Sequence, residues 1–336
     1  MLLLQLSFPL DLNPDATPSP TPTDKPKGPS NLRLRAIWGA LAAVLLIGCT
    51  FGGPISFGLF FAAVQAVMLK EFYRIMRASG YRPAFWIGII FGIIIFLSSL
   101  FISGYGEYAK IFGWPEGTTI YPPLSALPQA IPGSNLFQWF KLFTALSWII
   151  GLLIVTVVLV LREIILWPDN GQPFANIGTT FIGLFYISLS MAMLSSLAFG
   201  KNGFQPGRVF CLILFIWAAD TGAYFAGKNF GKHKLAPTIS PGKTWEGWAG
   251  GTALALATGW GAGYFLPDIP LSYRLVAAGV VAVFGPLGDL AESMLKRSAG
   301  VKDSGTFMPG HGGLLDRFDA FLLVLPVLAL LQVLFE

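Results

Sequence analysis

Nine apolar runs, near 35–51, 54–70, 84–102, 142–161, 174–199, 208–227, 247–266, 273–291 and 318–335, dominate this chain of 336 residues. Each is close to the roughly 20 residues that an α-helix needs to cross a hydrocarbon layer about 30 Å thick. In such a layer every backbone N–H and C=O must find its partner within the protein, which leaves helices as the structure for runs of this kind. With 54% hydrophobic and 12% charged residues and a mean hydropathy of +0.66, the composition predicts an all-α polytopic integral membrane protein with about nine transmembrane helices. Gly52, Gly53 and Pro54 alone separate the first two runs, as in a tight hairpin.

The basic residues orient the chain. Threaded with the N-terminus cytoplasmic, one set of loops and flanks receives 17 of the 22 Lys and Arg residues. Only Lys110, Lys141, Lys201, Arg208 and Arg274 fall on the other side. Positive residues accumulate on the cytoplasmic face of membrane proteins, so this asymmetry predicts both the threading and a cytoplasmic location for the polar motifs below. Cys49 and Cys211 lie inside apolar runs without metal or redox spacing, and read as core residues. With only His233 and His311 in the chain, a zinc site is not expected.

Three regions follow. Residues 1–31 form a tail: MLLLQLSFPL lacks the basic flank and cleavage site of a secretory signal, and 11–31 are rich in Pro, Ser, Thr and Asp, a composition that predicts disorder. Residues 32–207 hold the N-terminal helices, with a long non-cytoplasmic loop near 103–140 that carries prolines and the aromatics Tyr105, Tyr108, Trp114, Tyr121 and Trp139. Residues 208–336 hold the polar clusters and are predicted to be the catalytic region.

In GPLGDLAESMLKR, Asp289, Glu292, Ser293 and Lys296 recur at i, i+3, i+4 and i+7 and share one helix face. Asp289 sits deep in an apolar run, where a charge is costly and usually functional. Asp316 and Asp319 are spaced i, i+3 at the start of the last helix, with Arg317 between them. One acid at a helix start is ordinary capping. Two, facing Asp289 on the neighbouring helix, suggest a hard-cation site, because Mg²⁺ takes one or two carboxylates together with substrate phosphates. The intervening SAGVKDSGTFMPGHGG brings glycines, including Gly312 and Gly313, that let backbone N–H groups approach phosphate oxygens. Lys296, Arg297, Lys302 and Arg317 would pair with the phosphates themselves. A positive-inside loop alone would explain these cations but not the acids between them.

A second cluster runs from Asp220, an intramembrane carboxylate, to Gly247. Its Gly242, Lys243 and Thr244 are not a P-loop, since the glycine required five positions earlier is Pro237. What remains is a basic, glycine-bearing loop in which Ser240, Lys243, Thr244 and Glu246 stand at a helix entrance, suited to a nucleotide; His233 reads as a surface residue.

The run SMLKRSAGVKDSGTFMPGHGGLLDRFD, Ser293 to Asp319, resembles the signature of the phosphatidate cytidylyltransferases, or CDP-diacylglycerol synthases, departing only at Met308. GDLAES and ISPGKTWEG resemble that family too, so the likeness covers about Phe215 to Asp319. It implies a Mg²⁺-dependent nucleotidyltransferase that turns CTP and phosphatidic acid into CDP-diacylglycerol and pyrophosphate in phospholipid biosynthesis. It also implies a homodimer in a plasma or internal membrane, with a cytoplasm-facing site, a second monovalent cation such as K⁺, and no nucleic-acid partner. Carried over by position, Asp289 and Asp316 are the metal acids and Asp319 a supporting acid, with Lys296, Arg297 and Arg317 at the reacting phosphates. Asp220, Ser240, Lys243, Thr244, Glu246, Ser293, Lys302, Asp303, His311, Gly312 and Gly313 would contact substrate. His311 is expected to order the loop or touch phosphate, because a phosphate monoester with a second pKa of about 6 is already ionised and needs no strong base. A CTP-dependent lipid kinase would share these needs but not the signature. A transporter would place polar residues toward both faces and show repeat symmetry, which this chain lacks.

Overall fold

The structure, a computed structural model, describes residues 31–113, 136–169, 171–200, 203–305, 307 and 312–335. The N-terminal tail, the centre of the 103–140 loop, and His311 therefore lie outside the described residues. The helices are α1 (Asn31–Phe51), α2 (Pro54–Ala78), α3 (Phe85–Ser103), α4 (Tyr105–Phe112), α5 (Leu136–Ile165), α6 (Pro173–Gly183), α7 (Ser190–Ala198), α8 (Pro206–Phe230), α9 (Trp245–Gly261), α10 (Leu271–Ser298) and α11 (Leu315–Phe335). A π-helical turn, Leu184–Leu189, joins α6 to α7 as one continuous rod. Each apolar run of the sequence falls on a helix or on this rod. Among the described residues, five helices (α2, α3, the α6–α7 rod, α8 and α10) are long and apolar enough to cross a membrane.

The described part of the chain is all-α as expected, apart from two short ribbons. β1 (Phe199–Gly200) pairs with β2 (Gly203–Phe204), and β3 (Lys234–Ala236) pairs with β4 (Ser240–Thr244), both antiparallel. The second ribbon is the basic loop between α8 and α9. The 103–140 segment likewise begins as helix: α4 ends at Gly113, whose φ of 67° gives the left-handed turn a glycine tolerates.

α2 carries the core. Phe57, Phe61, Val64, Met68, Phe72 and Ile75 recur every three or four residues and are all buried, the stripe by which a helix packs. Its register also clasps Tyr73, whose hydroxyl donates to the Thr180 carbonyl at 3.0 Å beside the π turn. Phe61 meets Phe318 of α11 with ring centroids 6.4 Å apart, so the N-terminal helices are packed directly on the last one.

Small residues let the C-terminal helices approach closely. A β-carbon on Gly222 of α8 would stand 2.5 Å from the carbonyl oxygen of Gly250 on α9. Close backbone packing of this kind drives helix association where lipid removes the hydrophobic incentive. α10 and α11 meet in the same way at Gly288, where a β-carbon would lie 2.5 Å from the Asp319 carbonyl oxygen. That contact places Asp289 against the first turn of α11.

Candidate active site

The C-terminal ends of α8 and α10, the N-terminal ends of α9 and α11, and β4 enclose a cavity of about 550 Å³. Helical spacing brings Asp220, Tyr224 and Lys228 of α8 to it on one face, and Pro286 and Asp289 of α10 from the opposite wall. Lys243 and Thr244 enter from β4, Trp248 from α9, and Asp316, Arg317 and Asp319 from α11. Asp220, Asp289 and Asp319 stand within electrostatic reach of one another and of Lys243. The sequence had placed these groups in two separate clusters; the fold merges them.

Lys243 is the central cation. Its Nζ lies 2.7 Å from Asp289 Oδ2 and donates to the Pro286 carbonyl at 3.1 Å. Pro286 has no N–H, so the Ala282 carbonyl one turn earlier loses its helical partner. The Trp248 indole N–H donates to that carbonyl at 2.6 Å, locking the start of α9 onto α10. Ser293 donates to Asp289 Oδ1 at 3.2 Å. Thr244 has a structural task as well as a place in the cavity, since its Oγ1 caps α9 by accepting from Gly247 N at 3.1 Å.

Asp316 holds the signature loop. Its Oδ2 accepts from Ser304 N (3.2 Å), Ser304 Oγ (2.9 Å) and Gly313 N (2.8 Å), and its Oδ1 accepts from Lys296 Nζ at 2.6 Å. Lys296 also pairs with the buried Glu292. Lys296 is thus a brace between α10 and α11, and is not among the residues that line the cavity. Nor are Arg297, exposed in the last turn of α10, Lys302 and Asp303, exposed on the loop beyond it, or Ser240, Glu246, Ser293, Gly312 and Gly313.

Glu246 serves the ribbon. Its carboxylate lies 2.6 Å from His233 Nδ1 and accepts from Lys232 N at 3.1 Å and His233 N at 3.2 Å. Its own backbone N–H at the helix start, together with His233 and these amides, pulls its pKa down to about 2.

Glu71 of α2 was not anticipated. It is 5% exposed, and its carboxylate accepts from Leu314 N at 3.0 Å, Leu315 N at 2.7 Å and Ser304 Oγ at 3.3 Å. The two amides are free donors at the start of α11, where a negative charge is favoured. Gly313 leaves the room, since a β-carbon there would lie 2.6 Å from Glu71 Oε2. The available signal was positional: Glu71 falls on the buried α2 stripe between Met68 and Ile75, where a carboxylate requires partners.

The donor set toward the cavity is carboxylate oxygen, with no His or Cys among the described residues lining it, which suits a hard cation. Among the described residues no three potential ligands are grouped tightly enough to hold a metal alone. A Mg²⁺ ion that draws its remaining ligands from substrate phosphates and water fits this arrangement. The acids sharing the cavity with Asp289 are Asp220, Asp316 and Asp319, and of these Asp316 has one oxygen filled by three donors.

A helical membrane bundle with a cavity of carboxylates and cations at one end of its helices defines an integral membrane protein built for a charged ligand. Residues 33–335 match the profile of the cytidylyltransferase family. The chain is 34% identical over 310 residues to a phosphatidate cytidylyltransferase of Bacillus subtilis, covering 91% of this chain and 99% of that one. It is 38% identical over 210 residues to one of Staphylococcus saprophyticus (57% and 81% covered) and 40% identical over 196 residues to one of Staphylococcus aureus (51% and 75% covered). The chain belongs to the cytidylyltransferase family.

Proposed function

We propose that this protein is a phosphatidate cytidylyltransferase: CTP and phosphatidic acid give CDP-diacylglycerol and pyrophosphate. The observation that carries the reading is the cavity in which Lys243 and Arg317 face Asp220, Asp289 and Asp319 at one end of an apolar bundle, in a chain matched almost end to end by a relative of that name. A phosphate monoester oxygen of the lipid attacks the α-phosphorus of CTP; the bond from that phosphorus to the bridging oxygen of the β-phosphate breaks, and pyrophosphate leaves with the electron pair. Both reactants are anions, so alignment and charge neutralisation supply most of the rate.

Lys243 neutralises the triphosphate and Arg317 the lipid phosphate. Lys296 and Asp316 hold the first turn of α11 so that Arg317 and Asp319 keep their positions. Asp289, with Asp319 and Asp220 beside it, would hold Mg²⁺, which when bound supplies a charge clamp for phosphate oxygens and leaving pyrophosphate. The pairing of Asp289 with Asp316 remains the alternative ligand set, and a monovalent cation such as K⁺ would add to the same neutralisation. Nine crossings with the N-terminus in the cytoplasm put the cavity where CTP arrives, and a homodimer is the proposed assembly.

The test is conversion of radiolabelled CTP by the purified protein in detergent with phosphatidic acid, with and without Mg²⁺. CDP-diacylglycerol and pyrophosphate in equal amounts, only with Mg²⁺, support the reading. CDP and a phosphorylated lipid, formed when a lipid alcohol is offered in place of phosphatidic acid, would make it a kinase, and no nucleotide turnover would end the assignment.

A further inference from the structure

A second cavity, of about 360 Å³, lies between α1, α2, α8 and α11 and is lined almost wholly by apolar side chains. Among the described residues its one charged side chain is Arg317, which also lines the polar cavity, and no other side chain belongs to both. The two spaces follow each other along the same helices. On α8, Ile213 and Trp217 line the apolar space and Asp220 the polar one, a step of about 4.5 Å from Trp217 to Asp220 at 1.5 Å per residue. On α11 the order is Arg317 and then Phe318 and Phe321. Leu45 is 54% exposed and Trp217 42%, so the groove reaches the outer, apolar surface of the bundle.

Another apolar cavity, of about 500 Å³ between α3, α5 and the α6–α7 rod, has no charged side chain in its wall among the described residues and shares none of them with the polar cavity. Continuity with a cation is what distinguishes the α1–α2–α8–α11 groove. A groove open to lipid is filled by some acyl chain whatever its affinity, because lipid tails are as apolar as its walls. Selection must come from its inner end, where Arg317 suits a doubly charged phosphate monoester.

Resting on the reading of the polar cavity above, we infer that this groove is the acyl-chain subsite of the lipid substrate, with Arg317 receiving the phosphate at the junction and one chain lying between α1, α2 and α8. Val67 stands one turn from Glu71, which touches the start of α11, and Ala63 one turn further out. Ala63 is exposed and small, so a large side chain there obstructs the outer part of the groove without displacing core.

The test compares KM for phosphatidic acid with 18-carbon and with 6-carbon chains, in mixed micelles, for wild type, Ala63→Trp and the remote lipid-facing control Val157→Trp. Ala63→Trp is expected to raise the long-to-short KM ratio about tenfold, the scale on which hydrophobic sites discriminate, and Val157→Trp to leave it at the wild-type value. An unchanged ratio in Ala63→Trp, or an equal rise in both variants, overturns the subsite. A phosphatidic acid bearing a photoreactive acyl chain gives a second readout that needs neither folding of the variant nor turnover. Labelling of α1, α2 and α8 peptides, suppressed by unlabelled phosphatidic acid but not by phosphatidylcholine, supports the subsite. Equal competition by phosphatidylcholine, or labels elsewhere, overturns it. Wild-type protein that turns over neither lipid would sink the proposed function instead, and the photolabel would still decide the groove.

Discussion

Glu71 of α2 accepts the backbone N–H of Leu315, the first residue of α11, at 2.7 Å across 244 residues of sequence. Its other oxygen takes Leu314 N. A buried carboxylate from the N-terminal half therefore caps the helix that carries Asp316, Arg317 and Asp319. The N-terminal helices are thus part of the site's geometry as well as its anchor in the membrane.

Glu71→Ala leaves two buried N–H groups without acceptors, each costing about 1–3 kcal/mol. It should lower thermal stability in detergent by several degrees and cut turnover at least tenfold, because Arg317 and Asp319 lose their fixed position. Glu71→Gln, which keeps one acceptor but turns an amide N–H₂ toward donors, should fall in between. Wild-type melting and turnover in Glu71→Ala would show that the cap does not position α11.

Lys243 and Asp289 are in contact and share the proposed role at the phosphates. Each alanine variant should lose about 10²-fold or more in kcat/KM, the scale of removing one aligned charge at a transition state. The double variant should lose much less than the product of the two, since groups acting as a unit are not additive. Full additivity in a double-mutant cycle would separate their functions. Protein levels in the membrane and melting temperature should stay near wild type, because Asp289 sits in an open cavity with its side chain 44% exposed.

The apolar runs located the helices but not their lengths. α2 was expected near 54–70 and continues to Ala78, because Phe72, Tyr73 and Ile75 keep the buried stripe while Arg74 and Arg77 take the outer face. Hydropathy falls at those charges, whereas periodicity does not. The acids and Lys243 were legible because charges within apolar segments are conspicuous. Their partners were not. Lys296 looked like a phosphate ligand because no local feature reveals that Asp316, twenty residues on, folds back to it. Glu71 was hidden for the same reason, its partners being backbone amides that sequence does not distinguish. Ribbon β3–β4 was read as loop because its pairing is supported by Glu246 from the next helix.

Glu246 gives that ribbon a defined response to acid. Its pKa of about 2 in the folded protein lies below the usual glutamate value near 4.3. A lowered carboxylate contributes stability that is complete above the unfolded value and is lost as pH falls toward the folded one. Amide exchange at Lys232 and His233 should therefore show Glu246-dependent protection that is constant from pH 5 to 8 and weakens only below about pH 4. Glu246→Gln should reduce protection throughout the neutral range. Loss of wild-type protection between pH 6 and 7 that persists in Glu246→Gln would assign the ribbon to a different titrating group.

Trp248 and Pro286 supply a repair experiment. The indole N–H serves a carbonyl, that of Ala282, which is free only because residue 286 is proline. Trp248→Phe keeps an aromatic ring beside Trp245, at present 5.0 Å away between centroids, but leaves Ala282 O without a donor. It should cost about 1–2 kcal/mol and raise KM for CTP by loosening the segment that carries Lys243. In a Pro286→Ala background the restored N–H at 286 can reach Ala282 O, so the stability cost of Trp248→Phe should largely disappear. If Trp248→Phe destabilises both backgrounds equally, the indole acts through ring packing, and the link from Pro286 through Ala282 to Trp248 is not what holds Lys243 opposite Asp289.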